Sequence, residues 1–203
     1  MTPETVLSLA ALAFAASITP GPNTALIAAS GARFGMRRSL PHMLGISLGF
    51  PVMLLSVGFL LGEVFSAQPL LREGLRWGGA AILLWLAWKI ATAPVVAPES
   101  GVAPGNPFTF LQAAGFQWIN PKAWILAIAV TSQFITPEAP FVSGAIVAGV
   151  FVVMGLLCCV AWAGLGLGMA RLLHRPERVR LFNLAMAALL ALSVAGLMAG
   201  GAG

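Results

Sequence analysis

The amino-acid sequence predicts an all-α integral membrane protein with six transmembrane helices, arranged as two inverted repeats of three helices. Hydrophobic residues make up 59% of the 203 residues and charged residues only 8%, whereas a soluble domain carries about 25% charged residues. Two proline-centred motifs interrupt apolar runs that are long enough to cross a bilayer. Basic residues gather near the predicted helix ends, which indicates a lipid-bilayer topology signal and argues against nucleic acid as a partner.

The first interruption lies within the predicted first helix, at about residues 5–30. Pro20 and Pro22 have no N–H, so the carbonyls of Ala16 and Ile18 lose their helical donors. Within hydrocarbon these carbonyls need another partner. Pro22 suits the first turn of a new half-helix, whose N–H groups attract an anion. The segment therefore offers acceptors for an ammonium and donors for a carboxylate, unless it is only a structural kink that a neighbouring helix satisfies. The whole motif comprises Thr19, Pro20, Gly21, Pro22, Asn23 and Thr24.

The second helix is predicted over about residues 39–62, after a basic turn at residues 31–38. Gly45 and Gly49 lie four residues apart, so they form a small helix face that another backbone can approach closely. We therefore expect both glycines to serve helix packing. His42 is expected at the membrane interface, with a proton relay as the alternative.

The chain is predicted to be one transmembrane domain of two repeats. The third helix, about residues 77–93, ends repeat 1, which covers about residues 1–93. A proline- and glycine-rich linker follows at about residues 94–107. Repeat 2 covers about residues 108–203, and the domain as a whole covers residues 1–203.

Repeat 2 is predicted to contain one interrupted helix and two intact ones. The fourth helix covers about residues 108–134 and is interrupted at residues 120–122, Asn-Pro-Lys. The fifth lies within the charge-free run of residues 139–170, and the sixth covers about residues 181–198. Each repeat is thus one broken helix followed by two continuous helices.

The two repeats are expected to insert in opposite orientations, because an odd number of crossings separates them. Pro121 follows Pro20 by 101 positions in the sequence. The connection after the first broken helix is basic, whereas residues 131–140, after the second, contain Glu138 and no basic residue. Paired broken helices in inverted repeats are a recurring transporter design, with the substrate site between them near the bilayer midplane.

The basic residues also predict the orientation in the membrane. If the first basic turn is cytoplasmic, eight basic residues lie inside and two, Arg72 and Arg76, lie outside. Both termini are then extracytoplasmic. The eight inner residues are Arg33, Arg37, Arg38, Lys89, Arg171, Arg175, Arg178 and Arg180.

Lys122 is the one basic residue predicted deep within a helix. An ammonium in hydrocarbon is costly, so this side chain is expected to face the bundle interior and meet an acceptor. The open choices are the backbone carbonyls that the prolines free in the two broken helices, the side chain of Gln117 or Asn120, and a substrate carboxylate. The alternative is a lysine that only holds the two broken helices together.

The remaining chemical groups are few. Cys158 and Cys159 are adjacent in an apolar run, and this spacing favours packing over a metal or redox site. The sequence has no aspartate, and Glu63 falls at a predicted helix end. A deep lysine that gains and loses a proton as the substrate carboxylate arrives and leaves is therefore a candidate for proton coupling.

These motifs resemble those of the lysine-exporter (LysE/RhtB) family of amino-acid efflux proteins. Residues 19–23, Thr-Pro-Gly-Pro-Asn, are similar to its first-helix signature, and residues 120–123, Asn-Pro-Lys-Ala, to its fourth-helix motif. Residues 44–50 and 85–92 look most like the cysteine/O-acetylserine exporter branch. Many members carry an acidic residue after the second-helix glycine pair, where this chain has Phe50, and this departure argues against a dicationic substrate such as lysine and against coupling through that carboxylate. The glycine pattern that it shares comprises Gly31, Gly35, Gly45 and Gly49.

We therefore predict a non-enzymatic exporter of small neutral amino acids or their derivatives in the bacterial inner membrane. It would use proton antiport, with sodium as the alternative coupling ion and no cofactor or metal, and a homodimer is left open. A membrane thiol–disulfide carrier and a structural membrane subunit are the competing classes. The Pro22 half-helix and Lys122 would hold the substrate carboxylate, and carbonyls and amides the amine or coupling cation. The predicted substrate-binding residues are Ala16, Ile18, Thr19, Pro20, Gly21, Pro22, Asn23, Thr24, Gln117, Asn120, Pro121 and Lys122.

Overall fold

The structure, a computed structural model, describes residues 1–61, 69–92, 105–136, 138–172 and 176–200. This part of the chain is helical and contains no strand. A short π-helical segment, Val57–Leu61, continues the second helix. The helices are α1 (Pro3–Ile18), α2 (Pro22–Ser56), α3 (Pro69–Ala91), α4 (Phe110–Ile119), α5 (Pro121–Phe134), α6 (Pro140–Leu172) and α7 (Pro176–Gly200).

Every one of these helices except α4 begins at a proline. Proline suits the first helical position because its fixed φ is already helical and the N–H that it lacks would have no partner there. Helix α4 begins with a capping box instead. The Gln112 N–H donates to Thr109 Oγ1 at 3.3 Å, and the Thr109 N–H donates to Gln112 Oε1 at 3.0 Å. Local sequence therefore determines where each helix starts.

The predicted basic turn at residues 31–38 is not a loop. Helix α2 continues through it, and only Gly35 departs from helical geometry, with φ 75° and ψ 173°. Glycine accepts this positive φ without steric cost, so a single residue turns the chain. The buried hydroxyls of Ser30 and Ser39 hydrogen-bond at 2.8 Å across the bend. The prediction was wrong in its extent because arginines are good helix formers and need not mark a loop.

Two described stretches are long and apolar enough to cross a membrane by length and composition, Pro22–Phe59 and Pro140–Met169. The apolar helices Pro3–Ile18 and Ala80–Ala91 are shorter. Most of the predicted linker, the predicted rim residue Glu63, and His174 and Arg175 of the second basic cluster lie outside the described residues. The arrangement of six inverted spans therefore stays a prediction.

Helix α2 is the centre of the bundle, where it packs mainly on α6 and α4, while α3 packs on α7. The backbone of α4 lies directly on the two α2 glycines. A Cβ at Gly45 would lie 2.6 Å from Ala113 Cβ, and one at Gly49 would lie 2.6 Å from Ala114 Cα. Such distances leave room for hydrogen only, so glycine lets α4 reach the centre of the bundle.

His42 lies in this same contact and is buried, at 3% exposure, rather than standing at an exposed interface. Its ring centroid lies 5.1 Å from that of Phe108, just before α4. The segment leading into α4 therefore covers this side chain, and its depth in the membrane stays a prediction. Residues 19–21 and 120–122, where the predicted helix interruptions fall, are described next.

Candidate functional site: the cavity between two helix breaks

The first break separates α1, which ends at Ile18, from α2, which begins at Pro22. Thr19 closes α1 by directing both its N–H and its Oγ1 to the Ala15 carbonyl. Thr24 Oγ1 then accepts the Gly21 N–H at 2.7 Å and donates to the Gly21 carbonyl at 2.9 Å. The start of α2 is thus capped by a side chain from its own first turn.

Two carbonyls of this break take donors from distant parts of the chain. The indole N–H of Trp162, on α6, donates to the Ile18 carbonyl at 3.3 Å. Lys122 Nζ donates to the Thr19 carbonyl at 3.1 Å. The α6 indole thus already bonds the Ile18 carbonyl, as expected for a break that a neighbouring helix satisfies, and binding of a ligand there stays a prediction. Sequence alone gave no sign of this tryptophan.

The second break is a single residue, Asn120, between α4 and α5. Its N–H donates to the Gln117 carbonyl at 3.3 Å, and its Oδ1 accepts the Lys122 N–H at 3.2 Å. Asparagine here ends one helix and caps the next. The predicted free carbonyl of Gln117 is therefore already bonded, because the last turn of α4 tightens around it.

The two breaks are joined by a pair of side-chain amides. Asn23 Nδ2 donates to Gln117 Oε1 at 2.9 Å, and Gln117 Nε2 donates back to Asn23 Oδ1 at 3.3 Å. Gln117 Nε2 also donates to the Ala113 carbonyl at 2.9 Å, and this side chain is fully buried. Two amides 94 positions apart thus satisfy each other within the bundle.

Lys122 makes the second link between the breaks. Its side chain is partly buried and reaches from the start of α5 to the Thr19 carbonyl. A Cβ placed on Gly21 would lie 3.2 Å from Lys122 Nζ, so the lysine lies directly against the break. Both predicted roles, ligand binding and joining the broken helices, fit this position. Its hydrogen-bond partner is a backbone carbonyl that sequence reasoning had not singled out.

These groups line a cavity of about 80 Å³, which has room for several water-sized groups. Nine of the twelve predicted substrate-binding residues line it, and three, Ile18, Pro20 and Pro121, do not. The nine are Ala16, Thr19, Gly21, Pro22, Asn23, Thr24, Gln117, Asn120 and Lys122. The two breaks, 101 positions apart in sequence, therefore form one site.

The rest of the lining comes from α1, from both parts of α2, from α5 and from α6. Sequence reasoning assigned the cysteines to packing, and both are indeed buried and free, but they also line the cavity. The additional lining residues are Ser17, Ile27, Ile46, Ser47, Phe50, Ala123, Leu126, Phe151, Gly155, Cys158, Cys159 and Trp162. The one available signal was Ser47, a polar residue between two packing glycines in a charge-free run.

The two tryptophans next to the second break do not line the cavity. Trp124 Nε1 donates to the Trp118 carbonyl at 2.8 Å, and the two rings pack edge to face at 5.9 Å between centroids. Among the described residues, no group of three His, Cys, Asp or Glu side chains could hold a metal ion. The site therefore consists of an ammonium, amides, hydroxyls, thiols and apolar surface.

A bundle of apolar helices, with a cavity that places a few polar groups among apolar ones where two of its helices are broken, is the architecture of a membrane transport protein. The sequence matches the profile of the LysE type translocator family over residues 14–200. The chain belongs to this family.

Its curated relatives include bacterial proteins described as "Cysteine/O-acetylserine efflux protein". The one from Escherichia coli (strain K12) is 31% identical over 191 residues, which cover 94% of this chain and 95% of the relative. The one from Salmonella paratyphi A is 33% identical over 166 residues, which cover 80% and 83%. No solved structure matches the chain.

Proposed function

We propose that this protein is a secondary-active exporter of small neutral amino acids or their derivatives, of the cysteine and O-acetylserine type. It would act in the bacterial inner membrane and exchange its substrate for protons. The cavity between the two helix breaks, with Lys122 reaching across it, carries this proposal. Family membership and the printed names of the relatives support the substrate class.

The lining groups suit a zwitterion. Lys122 and the first-turn N–H groups of α2 are the natural partners of a carboxylate. The Thr19 carbonyl, which Lys122 occupies at 3.1 Å, becomes an acceptor for an ammonium once the lysine turns to the carboxylate. The side-chain oxygens of Asn23 and Asn120 are further acceptors within the cavity. Transport would require a change in which side of the cavity is open, and no chemistry on the substrate.

We further propose six membrane spans in two inverted repeats, with both termini extracytoplasmic. Arg38 Nη2 donates to Asn106 Oδ1 at 3.2 Å and to the Gly105 carbonyl at 3.4 Å. This contact supports the topology, because it brings the basic bend of α2 to the segment that leads into α4. Both would then lie on the cytoplasmic side.

Single-cysteine labelling can test this orientation in a variant that lacks Cys158 and Cys159. Arg37 is exposed at the basic bend, so Arg37→Cys is a suitable reporter. A membrane-impermeant reagent added to intact cells should leave it unlabelled and should label it after lysis. Labelling in intact cells would contradict the proposed topology.

Counterflow in proteoliposomes is the experiment that tests the function. Vesicles loaded with unlabelled O-acetylserine or cysteine should accumulate the labelled compound, while lysine and glutamate should not exchange. An imposed proton gradient should then drive net movement of the same substrates. Failure of a folded protein to exchange any amino acid would contradict the proposal and favour a structural membrane subunit.

The cysteines give one observation in favour of the thiol–disulfide carrier, because Cys158 and Cys159 line the cavity. They are adjacent on one helix, however, so their side chains diverge along the helix surface. We expect the Cys158→Ala variant, which removes one thiol that a disulfide would need, to keep counterflow activity. Loss of counterflow together with loss of electron transfer to a dithiol probe would favour the thiol–disulfide carrier instead.

A further inference from the structure

We propose that the part of the cavity around Ser47, Gly155 and Cys159 is the subsite for the substrate's side chain. It would select short side chains that end in a thiol, a hydroxyl or an acyl ester. This inference rests on the proposed function, because it assigns one end of the substrate to one part of that cavity. The zwitterionic end would lie at the helix breaks, where the charged and amide groups are concentrated.

Ser47 and Cys159 are the polar groups of this part of the cavity. Ser47 is 1% exposed, and its Oγ donates to Cys159 Sγ at 3.9 Å. This hydrogen bond joins α2 to α6. A thiol sulfur is a weak acceptor, so the hydroxyl gains by turning to a better acceptor, such as an ester carbonyl. It can equally accept a hydrogen bond from a ligand thiol or hydroxyl.

Aromatic side chains bound this region. Phe50 and Phe151 pack at 5.1 Å between ring centroids, and both line the cavity. Trp162 also lines it, and its indole is fixed by the hydrogen bond to the Ile18 carbonyl. Packed aromatic rings leave little space for a long side chain, and they make favourable contacts with sulfur.

The charge of the cavity lining disfavours a substrate whose side chain is itself charged. None of the described residues that line the cavity is acidic, and the charged one is Lys122. A second ammonium on the substrate would therefore be desolvated without a partner. A second carboxylate would compete for the single lysine. A short, uncharged, weakly polar side chain remains as the best match.

A substitution at Gly155 can reduce the size of this subsite while its polar groups, Ser47 and Cys159, are kept. A Cβ there would lie 3.7 Å from Ser47 Cα and 3.8 Å from Ser47 Oγ, which is ordinary van der Waals contact. Gly155→Ala therefore adds a methyl group beside Ser47 without displacing backbone. Gly149 lies on the same helix with nothing within 4 Å of its Cβ position, so Gly149→Ala is the matched control.

Counterflow rates for alanine, serine, cysteine and O-acetylserine should be compared among the parent and the two variants. In Gly155→Ala, the rate for O-acetylserine relative to alanine should fall about ten-fold or more, the discrimination that one methyl group typically gives in a close-fitting pocket. In Gly149→Ala the ratio should stay within about two-fold of the parent. An unchanged ratio in Gly155→Ala would overturn the subsite, whereas absence of counterflow in the parent would overturn the proposed function itself.

Thiol labelling provides a second measurement that does not depend on transport. In the Cys158→Ser variant, methyl methanethiosulfonate should modify Cys159, and saturating O-acetylserine should slow the modification at least five-fold. Alanine should protect less, because its side chain does not reach the thiol. Modification that O-acetylserine leaves unchanged, or no modification at all, would overturn the subsite.

Discussion

The two helix breaks occupy matching positions in the two predicted repeats, but their backbone groups find hydrogen-bond partners in different ways. The first spans three residues, and its Ile18 and Thr19 carbonyls are bonded by Trp162 and Lys122 from other helices. The second is Asn120 alone, which bonds to its own neighbours on both sides. The first break thus depends on tertiary partners, and the second is locally complete.

This difference suggests that the two breaks have different roles in binding. A break that its own residues satisfy is rigid, and it can hold the lysine next to it in a fixed position. A break whose carbonyls bond to distant side chains can exchange those partners for a ligand. We therefore expect changes at the second break to act on the position of Lys122 as well as on the Asn120 acceptor, and changes at the first to act on the groups that meet substrate.

The largest effect is expected from replacing Lys122, whose side chain reaches from the second break to the first. Lys122→Met should reduce gradient-driven export about 100-fold or more, because the carboxylate loses its counter-charge, while membrane insertion stays normal. Lys122→Arg should keep the charge but fail to couple, because arginine does not readily lose its proton. Export measured in proteoliposomes with only a proton gradient distinguishes these outcomes. If the arginine variant still concentrates substrate, Lys122 is a fixed counter-charge and coupling lies elsewhere.

Packing of α4, the helix that ends at the second break, should be the next most sensitive. Leucine at Gly45 or Gly49 must displace the α4 backbone, and we expect a loss of about 3 kcal/mol or more in stability. Gly115, on α4 itself, has nothing within 4 Å of its Cβ position, so Gly115→Leu is the matched control. Thermal unfolding in detergent measures the difference. Equal melting of all three variants would show that the close contact is absent.

The amide pair should have an intermediate effect. Asn23→Leu or Gln117→Leu leaves the remaining amide without its partner, so each should cost about 1–3 kcal/mol. The double variant should cost less than the sum of the two, because no buried amide is left unpaired. A double-mutant cycle measured by unfolding in detergent tests this coupling. Strict additivity would mean that the two side chains do not interact in the membrane.

The smallest effect is expected at the caps. Asn120→Ala removes the side-chain acceptor at the start of α5 and should cost about 0.5–2 kcal/mol. Asn120→Asp retains an acceptor and should recover most of this stability. Substrate affinity in Asn120→Ala should fall together with stability if the cap positions Lys122. Affinity that stays at the parent value would remove the second break from the binding mechanism.

The sequence determined much of the local structure. Prolines lack the N–H that a helix interior needs, which favoured the breaks at Pro20, Pro22 and Pro121. Pro41 and Pro51 lie inside α2, however, so proline alone did not decide where a helix breaks. Low charge over long runs required an apolar surrounding, and this predicted the membrane class. The spacing of Gly45 and Gly49 predicted a close contact with another helix. It did not predict that this helix is α4.

Only the tertiary structure decided which distant groups meet. Trp162 bonds the Ile18 carbonyl from 144 positions away, and Ser47 meets Cys159 across 112. No local periodicity reports such pairs, because they follow from how α6 packs against α1 and α2 rather than from any one helix alone. The bend at Gly35 was not predicted for a local reason. The arginines on both sides of it are helical, so a turn made by one residue leaves little trace in the sequence pattern. The two proline motifs therefore determined the two breaks that form the site, and packing determined what satisfies each break and what else lines the cavity between them.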